Sequence, residues 1–265
     1  MPRVSAAVRF HGELAGLMGP AARAKGLAYP VDRRASIKDV VEALGVPHSE
    51  VYAIEADGRA VDFSYLLEDG ARVDVHPAVP PVAVTRPTLL RPEPLPAIRF
   101  VADVNVGRLA NLLRILGLDT AFGNGWDDDF IAETAASEGR IVLSRDRDLL
   151  KRSKITYGRL VRAERPEEQL REVLGLFGLR GPFAHFSRCL RCNTPLAPVD
   201  KQAVLHRLLP KTKKYYDVFS MCPTCGRIYW AGSHYEKVSE RLRNLGLGPE
   251  EQGADDGRSP PASGE

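Results

Sequence analysis

Two sets of side chains in this sequence are typed and spaced to hold metal ions, and they lie in different stretches. The four cysteines form two pairs, Cys189-Leu-Arg-Cys192 and Cys222-Pro-Thr-Cys225. Two residues between thiols let one tight turn aim both sulfurs at one ion, and two such turns complete a tetrahedral shell. Asn193 and Gly226 follow the second cysteine of each pair. Both types tolerate the left-handed backbone of such a turn. A disulfide framework does not suit a chain of 265 residues that opens without a secretion signal. A redox CxxC normally comes singly beside a βαβ pattern. The reading is structural Zn²⁺ on Cys189, Cys192, Cys222 and Cys225, with 29 residues between the pairs, as in a zinc ribbon. His234 is a weak fifth ligand candidate, expected off the metal.

The second set is carboxylate. Asp103 follows one short apolar run, and Asp146 and Asp148 follow another, Arg140-Ile-Val-Leu-Ser144. A third cluster, Asp127-Asp128-Asp129, opens a helical pattern behind the loop Gly123-Asn124-Gly125-Trp126. Asp119 is a further candidate with less support. Carboxylates converging on one edge repel one another unless a cation neutralises them. Hard oxygen ligands suit Mg²⁺ or Mn²⁺, ions that activate water and clamp the oxygens of a phosphoryl displacement. Each aspartate also has a plainer reading: Asp127 or Asp128 as a helix N-cap, Asp146 or Asp148 capping the helix that Leu149 begins, Asp103 as a turn residue. Asn105 is read as capping the first helix in preference to orienting a metal-bound water. Arg145 and Arg147 flank the acids, where they would either hold phosphate or offset the local negative charge.

The elements that must position these residues alternate strand and helix. Ile98–Ala102, Thr120–Phe122, Arg140–Ser144 and Gly158–Val161 read as strands. Gly107–Leu116 carries Leu109, Leu112, Leu113 and Leu116 on one stripe and stops at Gly117. Phe130–Ala136 and Glu167–Phe177 are further helices. This alternation argues an α/β fold, a parallel sheet with flanking helices, whose ligands bind beyond the carboxyl ends of the strands. Earlier in the chain, Val4–Phe10, Gly26–Val31, Val51–Glu55 and Arg72–His76 read as strands. One helix, Ile37–Leu44, is capped by Ser36 and ended by Gly45. A helix between two hairpins is the β-grasp pattern.

Seven prolines between Pro77 and Pro96 exclude helix and central strand there and read as a semi-rigid linker. From Pro249 the chain is polar and Gly/Pro-rich, the composition of a disordered tail. Net charge is +3, but residues 180–248 hold twelve Lys/Arg against four Asp/Glu. Such a surplus attracts polyanions by counterion release. Lys211, Lys213 and Lys214, beside Tyr215 and Tyr216, are the candidate nucleic-acid contacts within it. Tyr229 and Trp230 are read as packing the ribbon core. No apolar run approaches the ~18 residues that span a bilayer. With reduced cysteines, the expectation is a cytoplasmic protein with no membrane partner.

Two resemblances sharpen this reading. Arg9-Phe10, Ser36-Ile37-Lys38-Asp39-Val40 and Glu68-Asp69-Gly70-Ala71-Arg72-Val73 resemble ubiquitin-like sulfur carriers. Here the matching end is His76-Pro77-Ala78, not Gly-Gly, so fold and a docking or regulatory role are implied, not sulfur transfer. The run Phe100-Val-Ala-Asp103-Val-Asn-Val-Gly107-Arg-Leu-Ala110, continued by Leu113-Arg-Ile-Leu116-Gly117-Leu-Asp119-Thr120, resembles the start of the Mut-seven C-terminal RNase domain, a branch of the PIN-like nucleases. Asp128-Asp-Phe-Ile131 and Glu138-Gly139-Arg140-Ile141-Val142-Leu143-Ser144-Arg145-Asp146-Arg147-Asp148-Leu149-Leu150 extend the likeness. Arg188-Cys189, Cys192-Asn193 and Cys222-Pro-Thr-Cys225-Gly226-Arg-Ile-Tyr-Trp230 match that family's zinc ribbon. The likeness covers roughly residues 99–243.

It implies a PIN-like fold and metal-dependent RNA cleavage, and it carries over Asp103, Asp128, Asp146 and Asp148 as acidic residues that bind the catalytic ion. PIN domains usually offer a glutamate as second acid, where this chain has Asp128 with Glu133 a turn later. The expected organisation is a ubiquitin-like β-grasp domain over 1–76, a Pro-rich linker over 77–98, a PIN-like RNase domain over 99–180, a zinc ribbon over 181–248 and a tail over 249–265. The expected function is Mg²⁺- or Mn²⁺-dependent ribonuclease, with RNA as partner. The alternative is a non-catalytic RNA-binding or adaptor protein that docks proteins through its first domain.

Overall fold

The computed structural model describes residues 5–18, 27–31 and 34–249. Val4 and Gly26, read as strand starts, and the tail from residue 250 onward lie outside the described residues. Alternation of apolar and polar side chains builds the first sheet. In β1 (Ser5–Phe10), Ala6, Val8 and Phe10 are buried while Ala7 and Arg9 face water. After the short helix α1 (Gly12–Ala15), β2 (Leu27–Pro30) pairs antiparallel with β1. Helix α2 (Ile37–Ala43) starts where the Ser36 hydroxyl accepts the Asp39 amide at 3.2 Å, and it buries Ile37, Val40 and Val41. Strands β3 (Val51–Ala56), β4 (Arg59–Ala60) and β5 (Arg72–Pro77) complete the order β2-β1-β5-β3-β4, with β1 and β5 parallel. This is the β-grasp arrangement, one short strand richer than the sequence suggested.

The middle sheet is wholly parallel, in the order β7-β6-β8-β9, from β6 (Phe100–Ala102), β7 (Thr120–Ala121), β8 (Ile141–Ser144) and β9 (Gly158–Leu160). Period-two alternation divides its side chains between two cores. Phe100, Ala102, Ile141 and Leu143 meet α3 (Gly107–Ile115) and α6 (Pro166–Leu176) on one face. Val101 and Val142 meet α4 (Asp128–Glu138) and α5 (Arg147–Leu150) on the other. Helix α3 buries Leu109, Leu112 and Leu113, the predicted stripe, and Gly117 takes φ +84° just beyond it.

The small antiparallel sheet β10-β11-β12, from β10 (Ala197–Val199), β11 (Phe219–Met221) and β12 (Ile228–Tyr229), carries the cysteine turns. Two short helices, α7 (Lys201–Val204) and α8 (Pro210–Tyr215), lie between β10 and β11. Helix α9 (Ser233–Arg243) returns to the middle unit, burying Leu242 in its core. Among the described residues no helix is long and apolar enough to cross a membrane.

The proline-rich segment lies against both of its neighbours. The Val82 amide donates to Leu176 O (2.8 Å), and Val82 and Val84 join the middle core. Arg91 is 3% exposed. Its guanidinium donates to Val51 O (2.8 Å), Ser49 O (3.0 Å) and Thr156 O (2.9 Å), lying over the Tyr52 and Tyr157 rings. The turn His48–Glu50 docks directly on the middle unit: His48 Nε2 donates to Ile155 O (2.8 Å) and Ser49 Oγ to Leu150 O (3.0 Å). A Cβ on Gly158 would meet Ser49 Oγ at 2.9 Å, so this contact depends on glycine there.

Candidate active edge and metal centre

Strand register determines which polar groups meet at the carboxyl edge of the middle sheet. Phe100, Val101 and Ala102 pair with Ile141, Val142 and Leu143. The next residues, Asp103 and Ser144, therefore lie side by side, and alternation turns both toward the face of Val101 and Val142. The Asp103 amide extends the ladder to Leu143 O (3.0 Å). Ser144 Oγ donates to Asp103 Oδ2 (2.7 Å) and accepts the Asp146 amide (2.9 Å). Asn105 closes the cluster: Nδ2 donates to Asp103 Oδ2 (2.5 Å), and Oδ1 accepts the Arg145 amide (3.1 Å). Asn105 thus braces the two strand ends and caps no helix, contrary to the sequence reading. The cap on the turn Val104–Val106 comes from Asp103, which accepts the Val104 amide at 2.5 Å.

Asp103 is buried, 6% exposed, and Asp146 is exposed. Neither makes an ion pair among the described residues. Asp146 also caps α5, accepting the Asp148 amide at 2.7 Å. A cap and a ligand are compatible here, because the carboxylate has a second oxygen. The other expected acids stand apart. Asp148 projects into solvent and pairs with Lys151 at 3.1 Å. Asp127 caps α4 through the Phe130 amide (2.8 Å). Asp128 and Asp129 pair with Arg152, and Glu133 with Lys154 at 2.5 Å. Among the described residues no three carboxylates come within one ion's reach.

The cysteines do. Their four sulfurs lie within 4.8 Å of one another, with Cys189–Cys225 at 3.6 Å and Cys192–Cys222 at 3.4 Å. Disulfide sulfurs would sit at about 2.05 Å. A tetrahedral Zn²⁺ with bonds of about 2.3 Å sets its sulfurs about 3.8 Å apart, so the donor set fits one such ion. The turns are alike: Asn193 N donates to Cys189 O (2.8 Å) and Gly226 N to Cys222 O (2.9 Å), with Asn193 and Gly226 at φ +65° and +68°. Tyr229, expected in the ribbon core, has its hydroxyl 3.1 Å from Cys189 Sγ and accepts the Leu190 amide at 3.0 Å. Burial pushes the Cys189 thiol up, but the Tyr229 hydroxyl and nearby backbone amides outweigh it and hold the thiol near 6. His234 is not part of the cluster. Trp230 is 39% exposed, so it covers the ribbon only in part.

The family model described as the Mut7-C RNAse domain matches residues 98–242, more than half of the sequence. The chain belongs to this family. A second model, Mut7-C ubiquitin, matches residues 3–83, the β-grasp unit together with the start of the proline-rich segment. The human protein named "Exonuclease mut-7 homolog" is 38% identical over 127 residues, which is 44% of this chain and 14% of that protein. The chain therefore matches only a small part of that relative's length. No solved structure matches.

Within this Mut7-C chain, the remaining candidates fall into two groups. Asp119 lies at the opposite edge from Asp103. There Arg140 Nη1 donates to it at 2.5 Å and Asn193 Nδ2 at 2.7 Å, with Arg188 at 3.6 Å. It ties the sheet to the first cysteine turn. Among the predicted phosphate contacts, Arg145 donates to Ala163 O (2.6 Å), and Arg147 reaches Leu17 O of the N-terminal unit (3.4 Å). Lys211 and Lys214 are exposed on α8 and Lys213 partly so, with Lys214 over the Tyr215 ring. Sequence reasoning passed over Ser144. Its only signal was a small hydroxyl at the last position of a buried strand, between the two acids.

Proposed function

We propose that this chain is a Mg²⁺- or Mn²⁺-dependent ribonuclease of PIN-like architecture acting at the carboxyl edge of the middle sheet. Its four-cysteine ribbon would hold structural Zn²⁺. The observation that carries the reading is the junction of Asp103, Ser144 and Asp146: one hydroxyl bridges the Asp103 carboxylate and the Asp146 backbone amide, which brings two aspartates from separate strand ends together, neither with a cationic partner among the described residues. A buried carboxylate lacking a counter-charge is costly, and a divalent ion offsets that cost. The match to an RNase family model and the relative named as an exonuclease support the same reading.

The donor set fits a hard cation. Mg²⁺ usually takes one or two protein carboxylates and completes its shell with water and substrate phosphate. Asp103 and Asp146 would hold the ion. Bound there, it supplies Lewis-acid polarisation of the phosphodiester and lowers the pKa of water. Ser144 and Asn105 keep the Asp103 carboxylate in one orientation, so little reorganisation is needed at the moment of reaction. Arg145, with its guanidinium anchored at Ala163 O, would steady a neighbouring phosphate. Asp128 and Asp148 are candidates for a second ion or for the attacking water, each after release from its present partner. Lys211, Lys213 and Lys214 would add backbone attraction. The ubiquitin-like unit would offer its outer face to a protein partner, in the cytoplasm.

Degradation of end-labelled RNA is the test. Wild-type protein with Mn²⁺ or Mg²⁺ degrades RNA, chelation stops it, and Asp146→Asn lowers the rate at least about 100-fold. Equal, metal-insensitive degradation by both proteins would sink the proposal. A second reading, a non-catalytic RNA-binding adaptor, is favoured by the pairing of Asp128 with Arg152. It predicts RNA binding without degradation.

A further inference from the structure

Two hollows adjoin on the side of the molecule where the ribbon, α3 and α9 meet. The first, of about 390 Å³, is apolar and lined by aromatic rings of Phe186, Tyr229, Trp230 and Tyr235. Phe186 and Tyr235 pack ring to ring at 4.1 Å. Phe186 holds φ +54°, an uncommon conformation for a bulky residue, fixed by its amide donating to Ile115 O at 2.7 Å. The second hollow, of about 510 Å³, is lined by Arg108, Asn111, Arg227 and Arg241. The two share Ile115, Leu190, His234 and Val238, so they form one trough.

One end of the trough lies at the start of α3, which follows Asp103 in the chain. Arg108, Asn111 and Ile115 recur at helical spacing along α3 and share one stripe. That stripe runs about 10 Å, at 1.5 Å per residue, from the helix start just beyond Asp103 to the aromatic hollow. Arg241 is neutralised by Glu167. Arg108 and Arg227 are exposed, and their guanidiniums make no hydrogen bond or ion pair among the described residues. The ribbon segment that supplies one wall is the cationic part of the chain, twelve Lys/Arg against four Asp/Glu over residues 180–248.

We propose that this trough binds single-stranded RNA: a base stacks on Trp230 in the aromatic hollow, and Arg108 and Arg227 take the phosphates that lead toward Asp103. A flat apolar ring system beside unpaired cations matches the two halves of a nucleotide. Stacking needs a splayed base, which a duplex does not offer. The proposal rests on the ribonuclease reading, and it places RNA on the α3–α9 side of the ribbon, where the lysines of α8 do not line the hollows.

The test uses the full zinc-loaded chain carrying Asp146→Asn, with a labelled short oligoadenylate followed by fluorescence anisotropy. Adding Trp230→Ala weakens binding about 5- to 150-fold, the range one stacked base accounts for, and Trp230→Phe restores most of it. Arg108→Ala with Arg227→Ala flattens the log–log salt slope by about 1.4. The same sequence as a duplex binds more weakly than the single strand. Unchanged affinity and salt slope in these variants, with zinc content normal, overturn the trough whatever the wild-type chain cleaves. If the losses appear but wild-type protein cleaves no RNA, the trough stands and the nuclease reading falls.

Discussion

At the scale of single residues, the edge depends on one hydroxyl. Ser144 is fully buried and is the link that the Asp103 carboxylate and the Asp146 amide share. Ser144→Ala leaves Asp103 held by Asn105 and the Val104 amide and frees the Asp146 amide. A hydrogen bond to a charged group is worth about 1.5–3 kcal/mol. If that orientation is needed in the transition state, kcat/KM for RNA cleavage drops about 10- to 100-fold. Stability falls by a similar amount, about 1.5–3 kcal/mol, so the variant stays folded with its Tm lowered by several degrees. An unchanged cleavage rate in this variant would remove Ser144 from the site. Asp103 and Asp146 were legible in the sequence because each follows a buried run, where a polar side chain must emerge at the sheet edge. Ser144 and the bracing role of Asn105 were not. They depend on which residues of two distant strands lie in register, and spacing within one strand carries no such information.

At the scale of elements, Asp119 shows how a plausible ligand becomes a strut. Its backbone carbonyl accepts the Phe100 amide at 2.8 Å, while its carboxylate gathers Arg140, Asn193 and Arg188. Asn193 returns the contact, its Oδ1 accepting the Thr120 amide at 3.1 Å. The two-residue strand β7 and the first cysteine turn thus hold each other. Burial pushes the Asp119 carboxyl up, but the Arg140 and Asn193 hydrogen bonds and nearby guanidinium charge hold it below the ordinary 3.8. Its folded value is depressed, so its stability contribution is complete above 3.8 and fades as pH falls through the folded value. Asp119→Ala should therefore cost about 1–3 kcal/mol at neutral pH, and that difference from wild type should shrink in acid. Zinc content stays the same, and exchange of the Thr120 amide quickens. Denaturation series at neutral and acidic pH check this, and an equal difference at both would remove Asp119 as the cause. The helices were readable beforehand, because the α3 stripe and the glycine stops are local signals. β7 was seen as a strand, but its attachment to the ribbon was hidden, since both partners come from far along the chain.

At the scale of the whole molecule, the N-terminal unit is joined to the RNase unit by charge as well as by packing. Glu50, 2% exposed, receives the Leu160 amide at 2.7 Å and pairs with Arg162 at 2.7 Å and Arg159 at 3.6 Å. Glu13 and Glu172 meet Arg159 at 2.5 and 2.8 Å. Burial pushes the Glu50 carboxyl up despite these cations. Arg159 is held above its ordinary range because the surrounding carboxylates outweigh its burial. The sequence offered separate units and a proline-rich spacer. It held no sign of this network, whose contacts between Glu13 or Glu50 and Arg159 or Arg162 span more than a hundred residues and whose members look like ordinary surface charges. The arrangement predicts a chain that unfolds as one body. Arg159→Met leaves Glu50 with Arg162 as its single cationic partner, and breaking a buried pair in this way costs about 3–5 kcal/mol. Calorimetry should then resolve two transitions where the wild-type chain has one. Adding Glu50→Leu removes the stranded charge and should restore much of the coupling, because neutral packing replaces a buried ion pair at little cost. If Arg159→Met still melts in one step at the wild-type temperature, the charges are incidental, and the Arg91 contacts and the docked His48–Glu50 turn hold the units together.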